Sequence, residues 1–590
     1  MNTYTSIKET NTVILMRLKK LHFWISMIRI ALVCVAIVCF YFFITSRSHF
    51  ALVIGLGSIL LFPFILTWHR KKAIEIEFLT TVIKVNQDEI QYQENKIMPF
   101  EDGSEYMDVT HSNTFDLDVF GPKGLFQHLN RTATYLGKFK LAFSLQNILS
   151  NDAIVNNQLS IKELSNKLKW RQEILAHATI ASDSKDVYNN IIHWASEKVD
   201  KLPLFIRITS FAFPILLFVL FTFYLITDVA LYLNAAELLL IVNLILIGSQ
   251  LKTIKRELMH AERIDQIIKQ YSIIIDKIEK ESFHSEKLIG LKNILSATDG
   301  NASKNFNRLS KLFARVETIN NAVGAFLLNG FFFYHIHSLH SLLKWKDAYA
   351  SKLPQWIDII AEFEMLNSYA NLAYNNPTFT FPTLNTDFSI QLTNVGHPLI
   401  DARKRVCNSI DFTKGSFVIL TGSNMSGKST FLRTLGINMV LAGAGSPICA
   451  SAASIHPLQV IVSMRLSDSL SDSESYFFAE VKRLKFLMNT LDKESCFVLL
   501  DEILRGTNSD DKRNGTIEVI KKIVSKQGIG IVATHDLEVC NTTEAYPNQL
   551  SNKCFEVEII QDELVFDYKL RAGICQNKSA TFLMKKMGVI

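Results

Sequence analysis

Cysteine is scarce and unpatterned in this chain of 590 residues: there are eight, and no two stand as C-x-x-C. That leaves no sequence case for a zinc knuckle or a dithiol centre. The thiols read as small core residues of a reducing compartment. Charge of one sign is scarce as well. Sixty-two Lys and Arg against 56 Asp and Glu give +6. So small an excess does not announce a nucleic-acid surface, and the basic residues form no dense stripe. The length excludes a single compact core and suggests two to four domains.

What is plentiful is apolar surface, 48% of residues, and much of it lies in four runs. Residues 21–46 hold one charge, Arg29, near their start, where an arginine can snorkel to headgroups. Residues 50–68 have none, about the length that crosses a bilayer, and Pro63 is tolerated in such a helix. The runs 208–227 and 229–251 form a second pair. The last carries Asn234, Glu237 and Asn243, which should face other helices or lie near the interface. Basic residues flank the outer ends of both pairs: Arg17, Lys19 and Lys20; Arg70, Lys71 and Lys72; Lys198, Lys201 and Arg207; Lys252, Lys255 and Arg256. The positive-inside rule then predicts a multi-pass protein of the inner (cytoplasmic) membrane, in contact with lipid, with everything after 252 cytoplasmic. A shorter apolar stretch at 324–337 reads as a buried core helix.

This divides the chain into an N-terminal segment with a transmembrane hairpin (1–72), a first helical part (73–203), a second hairpin (204–251), a second helical part (252–374) and an α/β domain (375–590). In 251–281, Ile254, Leu258, Ala261, Ile264, Ile268, Tyr271, Ile275 and Ile278 recur at spacings of three and four, which predicts one amphipathic helix. After the proline- and threonine-bearing NNPTFTFPTL, strand and helix patterns alternate, as in nucleotide-binding α/β domains.

Four elements in that last region carry chemistry. FVILTGSNMSGKSTFLRTLG is a strand, a G-x-x-x-x-G-K-S turn and a helix: a phosphate-binding loop made of Gly422, Ser423, Asn424, Met425, Ser426, Gly427, Lys428, Ser429 and Thr430. Its amides and the positive helix end suit phosphate, Lys428 the β- and γ-phosphates of ATP, and Ser429 a Mg²⁺ ion. CFVLLDE is a buried strand ending in Asp501, placed for the metal's hydration shell, and Glu502, a candidate general base. GIGIVATHD is a second such strand, ending at His535, which could contact the γ-phosphate or the attacking water. The fourth, 464–491, is a serine-rich turn before a helix with Val481, Leu484, Leu487, Met488 and Leu491 on its apolar side. Ser475 precedes that helix, and an ordinary N-cap would look the same.

Together these stretches resemble the MutS family of DNA mismatch-repair ATPases. TGSNMSGKSTFLRTLG matches the family's extended loop, SYFFAEVK its S-x-F-x-x-E helix, LLDEILRGTNSDD its Walker B stretch with GTN for the usual GTS, ATHD its histidine switch, and GHPLI with Asn408 its lead-in. DLDVFGPKGLFQHLNRTATYLG, at 116–137, resembles the start of the family's helical core. The resemblance implies an ABC-like, MutS-type P-loop ATPase domain behind a helical core and lever, with Mg²⁺-dependent ATP hydrolysis. It also implies a homodimer with composite sites. Ser475 of one subunit would then complete the partner's site, with Thr507 and Asn508 near the same interface. Departures shape the rest. No F-x-E mismatch-reading motif precedes the core-like start. The second apolar pair interrupts the helices where the family's DNA clamp would be, and little chain remains for a C-terminal helix-turn-helix. The expected function is therefore a membrane-anchored ATPase that switches a dimer, with DNA as a candidate partner. Spans joined to an ATPase also suit transport, although the LSGGQ-type signature is absent, and a signalling or scaffold ATPase without DNA fits as well.

Overall fold

The structure is a computed structural model, and it describes residues 3–95, 97–259, 264–297, 301–320, 322–465, 476–560 and 563–576. Two helices, Thr3–Ser46 and His49–Asn95, form the first hairpin, reversing at Arg47 in a left-handed conformation (φ 51). The expected domain boundary at 72 is not a break. No Gly or Pro occurs between His69 and Asn95, so the second helix propagates uninterrupted and buries Val82, Asn86 and Glu89 in the helical body. Likewise Ala230–Met259 runs through the boundary at 251.

Among the described residues, four helices are long and apolar enough to cross a membrane: the two of the first hairpin, Leu204–Thr227 and Ala230–Met259. Side chains such as Ile44 (75% exposed), Phe218 (71%) and Leu60 (70%) point outward, a surface that a water-soluble protein would bury. Arg29, expected to snorkel, lies 3.1 Å from His69 Nδ1 across the hairpin. Glu237 is exposed rather than turned toward other helices. Asn243 is buried, and its Nδ2 donates to the Gly330 carbonyl (2.8 Å).

The helical body packs around Leu353–Asn375, with Trp194, Trp345, Trp356 and Tyr271 fully buried. Lys140 and Lys287 both pair with Glu362. The amphipathic stretch 251–281 is found as the end of Ala230–Met259 and a helix Ile264–Lys280; Ala261 lies outside the described residues. Ile254, Ile264, Ile268, Tyr271, Ile275 and Ile278 are all buried, as the spacing requires. The stretch 324–337 is not a buried core helix. It divides at Phe333 (φ 49) into Ala322–Phe332 and Tyr334–Tyr349, and the first piece exposes Phe326, Leu327, Phe331 and Phe332.

Among the described residues the α/β region has a sheet of only two strands, Glu558–Ile560 and Glu563–Val565, and two main sheets. The larger runs Leu570–Ala572, Leu550–Phe555, Phe417–Gly422, Ile529–Thr534, Cys496–Asp501 and Gln459–Ser463, all parallel except the first. Its three central strands are buried at every residue, which is why they read as unbroken apolar runs. The smaller sheet orders Thr383–Leu384, Ala452–Ile455, Ile390–Val395 and Asn408–Phe412. The stretch at 112–120 joins this region to the helices. Leu117 packs so closely on the helix Lys428–Gly443 that a Cβ on Gly436 would lie 2.5 Å from it. Asp116, 1% exposed, accepts from the amides of Met464 and Arg465 and from Arg483 Nη2 (2.6 Å).

Candidate functional site

Strand register brings the chemistry together. Phe417–Gly422 pairs with Ile529–Thr534, which pairs with Cys496–Asp501. Gly422, Thr534 and Asp501 therefore end at one edge of the sheet, the carboxyl edge where ligands of parallel sheets gather. The turn after Gly422, the pair Asp501–Glu502 and His535 all emerge there.

The turn is built for close approach. A Cβ on Gly422 would stand 2.6 Å from Ser426 Oγ and 3.0 Å from the Phe555 carbonyl, so only glycine fits. Met425 (φ 66) and Gly427 (φ 98) both take left-handed conformations. Lys428 opens the following helix with its side chain folded back: Nζ donates to the carbonyls of Gly422 (2.8 Å) and Ser423 (3.0 Å) and lies 3.3 Å from His535 Nε2. Burial draws its pKa below the usual lysine value, against the opposing pull of Glu502 and Asp501. Ser429 Oγ donates to Asp501 Oδ2 at 2.6 Å.

Glu502 leaves its strand in a left-handed conformation (φ 50), and Leu504 follows in another (φ 62). Such backbone is costly for non-glycine residues and is held here by neighbours: the Glu502 amide donates to the Ala533 carbonyl (2.9 Å), and the Leu504 amide to Glu480 Oε1 (2.6 Å). Burial raises the pKa of Glu480. Glu502 Oε1 lies 2.6 Å from His535 Nε2. The hydrogen bond with His535 pushes the Glu502 pKa down to about 2, helped by the charges of His535, Arg505 and Lys512. Arg513 Nε in turn donates to Asp536 (2.8 Å), next to His535.

These groups border a cavity of about 430 Å³. Of the residues expected from sequence, Asn424, Met425, Ser426, Gly427, Lys428, Ser429, Thr430, Glu502 and His535 line it. Gly422 and Ser423 form the turn behind Lys428, and Asp501 reaches the wall through Ser429. Ser475 lies outside the described residues. In the helix it precedes, Tyr476–Leu491, the buried side holds Leu484, Leu487 and Leu491 with Phe477 and Met488 against them. Val481, expected on that side, is 38% exposed, and Glu480 is buried instead, because the Leu504 amide gives its carboxylate a partner. Asn508 caps the helix Ser509–Ser525, accepting from the Asp511 amide.

The far wall escaped the sequence reading. Tyr568 lies over Gly427, where an added Cβ would meet its ring at 3.0 Å. His397 and Phe555 also line the cavity. Burial, with Arg433 and Arg405 nearby, holds the His397 pKa at about 4, so its ring is neutral at ordinary pH. Asn408 ties this wall to the sheets: Nδ2 donates to the Tyr568 carbonyl and Oδ1 accepts from the Leu570 amide. The available signal was an aromatic in FDYKLRAG just ahead of a short edge strand.

The residues fit a nucleotide phosphate chain with a divalent cation. Ser426 Oγ is buried without a hydrogen-bond partner, an unmet polar group inside the turn. Lys428 is a buried cation satisfied only by neutral groups at its closest contacts. Ser429 and Asp501 supply two hard oxygens, and no cluster of three or more His, Cys, Asp or Glu placed for a metal occurs among the described residues. That sparse donor set suits Mg²⁺, which keeps several waters and takes the rest of its ligands from phosphate.

Comparison with known proteins bears on the same region. Residues 418–588 match the family model for MutS domain V. The C-terminal region is a MutS-family domain. Among similar proteins are MutS protein homolog 4 of Homo sapiens, 27% identical over 308 residues covering 50% of this chain and 30% of that protein. The DNA mismatch repair protein MutS of Ehrlichia chaffeensis is 32% identical over 234 residues, 39% of this chain and 29% of that protein. The protein of the same name from Methanococcoides burtonii is 30% identical over 251 residues, 41% and 28% respectively. The chain thus matches less than a third of the length of these curated relatives, and joins its MutS-family domain to helices long and apolar enough to span a membrane.

Proposed function

We propose that this protein is a membrane-anchored, Mg²⁺-dependent ATPase of MutS type, spanning the inner membrane four times with its ATPase domain in the cytoplasm. The observation that carries the reading is the convergence of Lys428, Ser429, Asp501, Glu502 and His535 on one cavity at the carboxyl edge of the sheet. The turn amides and Lys428 hold the phosphates, and Ser429 and Asp501 hold Mg²⁺, which when bound offsets charge on the phosphate oxygens. The aromatic wall of Tyr568 and Phe555 suits the flat face of a base.

Glu502 acts on the attacking water, and His535 controls when it can. While His535 holds its carboxylate, Glu502 is a weak base with a pKa near 2. A His535 ring that turns toward phosphate frees Glu502, whose pKa then rises toward the ordinary carboxylate value. Turnover is thereby linked to a filled site. Ser475 completes the site of the partner subunit in a homodimer, and DNA, which the names of several relatives mention, is the candidate cargo of that dimer.

The test is made on the full-length protein. It should resist extraction by alkaline carbonate, leave the membrane in detergent, and hydrolyse ATP only with Mg²⁺. Release by carbonate would contradict the anchoring, and absence of ATP binding would contradict the site. The dimer is tested by mixing Lys428→Ala with Ser475→Ala subunits. Heterodimers should regain activity, since both lesions share one site and leave the other intact; no gain in verified heterodimers would return Ser475 to a plain helix cap. DNA binding should appear as retention that weakens steeply with salt.

A further inference from the structure

The membrane reading accounts for four helices and leaves a fifth apolar element unexplained. Between Glu317 and Lys344 there is no Asp, Glu, Lys or Arg. The helix Ala322–Phe332 lies in this interval and turns Phe326 (50% exposed), Leu327 (49%) and Phe332 (64%) outward. It is too short to cross a bilayer. Nor does the chain continue through: Thr318, ahead of the helix, and His335, behind it, are hydrogen-bonded to each other (Oγ1 to Nε2, 3.0 Å). The segment therefore departs from the helical body and returns to it at one place.

Its contacts fix where it goes. Gly330 packs on Leu240, with the leucine Cγ 3.5 Å from where a Cβ would stand, and the Gly330 carbonyl accepts from Asn243 Nδ2 at 2.8 Å. Asn243 stands nine residues before Lys252, the first charge after its span, a rise of about 14 Å along a helix. That is near half the depth of a hydrocarbon core of about 30 Å. On the following helix His337 Nε2 meets the Ser210 carbonyl (3.2 Å), and its ring lies 4.5 Å from that of Phe211, tying the element to the other helix of the same hairpin.

The polar groups are those that such a position demands. Breaking a helix at Phe333 exposes backbone groups that lipid cannot satisfy. Here Asn243 takes the Gly330 carbonyl, and Asn329 Oδ1 takes both the His335 amide (3.0 Å) and its ring Nδ1 (2.9 Å). Asn243, Asn329 and His335 are all buried. Asn243, an expensive residue for a span, thus has a partner for its Nδ2 in that carbonyl, while its buried Oδ1 has none.

We propose that Ala322–Phe332 is a re-entrant membrane helix that enters the cytoplasmic leaflet beside the second hairpin and contacts lipid acyl chains through Phe326, Leu327 and Phe332. This rests on the membrane reading of that hairpin. The ATPase domain would then be linked, through Tyr334–Tyr349, to an element that feels the packing of one leaflet.

The test is photocrosslinking of the full-length protein in vesicles of equal parts phosphatidylethanolamine and phosphatidylglycerol. p-Benzoyl-phenylalanine replaces, one at a time, Phe326, Phe332, Ile215 on the exposed face of the third span (66%), or Phe478 of the MutS-family domain (51%). The expected result is a lipid adduct, seen as a mass shift, at Phe326, Phe332 and Ile215 and none at Phe478. An adduct at Ile215 alone overturns the re-entrant helix and leaves the spans standing. Crosslinks from Phe326 and Phe332 to a second copy of the chain overturn it in favour of a protein interface. No lipid adduct at Ile215 overturns the membrane reading, and the re-entrant helix with it.

Discussion

Two acid–base centres in this molecule look alike on a list of contacts and differ in what surrounds them. In the helical body Glu89 and Arg131 pair at 2.5 Å, both side chains 4% exposed. Every free direction is taken: Asn371 donates to Glu89, Tyr4 donates to Asn371 and Asn375, and the Arg131 guanidinium lies 3.5 Å from the centre of the Phe100 ring. The pair borders a cavity of about 20 Å³ and a second of about 380 Å³, yet both side chains stay almost wholly covered by these partners. At the sheet edge Glu502 and His535 pair at 2.6 Å but are 21% and 34% exposed and face about 430 Å³. A sealed pair holds elements together, here the N-terminal helix, the second helix of the first hairpin and the central helix. A partly exposed pair with few other partners has room to change them. Both centres border cavities of similar size, so burial and the number of fixed partners, more than the contact itself or the free volume beside it, separate structural from chemical polar groups.

Single substitutions break the comparison in opposite ways. Glu502→Gln should lower ATP turnover by about 10²–10⁴-fold, the range of a positioned general base, with ATP binding kept. Steady-state hydrolysis and nucleotide binding on the same preparation check this. Near wild-type turnover would place activation of the water elsewhere. Arg131→Ala should leave Glu89 buried without its cation and cost about 3–5 kcal/mol of stability, read by denaturant unfolding in detergent. The protein that remains folded should bind ATP as wild type does. An unchanged midpoint would mean that the sealed centre is not structural.

A smaller effect is expected with pH. Because the Glu502 pKa is lowered in the folded protein to about 2, its pairing stabilises the fold above the ordinary carboxylate value of about 4.3. That contribution is lost as pH falls from about 4 toward 2. Glu502→Gln should flatten this acid limb of the unfolding profile, and superimposable profiles would mean that the His535 contact is not made in solution.

Legibility followed the same division. That the turn after Gly422, Asp501, Glu502 and His535 would meet at one edge could be read because each lies at the end of a buried strand, where spacing along the chain predicts position in space. The four long apolar helices could be read from the length and composition of their runs. Tyr568 could not, since it is held at the cavity by the tie that Asn408 makes between the two sheets, and His397, though within GHPLI, carried no sign that it lines the cavity. The buried centre at Glu89 was silent, because its partners come from residues 4, 89, 131, 371 and 375 and no local pattern links them. The stretch 324–337 misled because apolar content alone does not say whether protein or lipid will cover it.

The most direct test of the central claim is ATP affinity measured for the full-length protein in lipid discs, wild type beside Lys428→Ala. Lys428 carries the one side-chain charge that the turn itself can offer to phosphate. The account predicts that Lys428→Ala abolishes saturable ATP binding while the disc-embedded protein keeps its wild-type unfolding midpoint. Equal affinity in the two proteins would contradict it, and would mean that the cavity at the sheet edge is not where ATP binds.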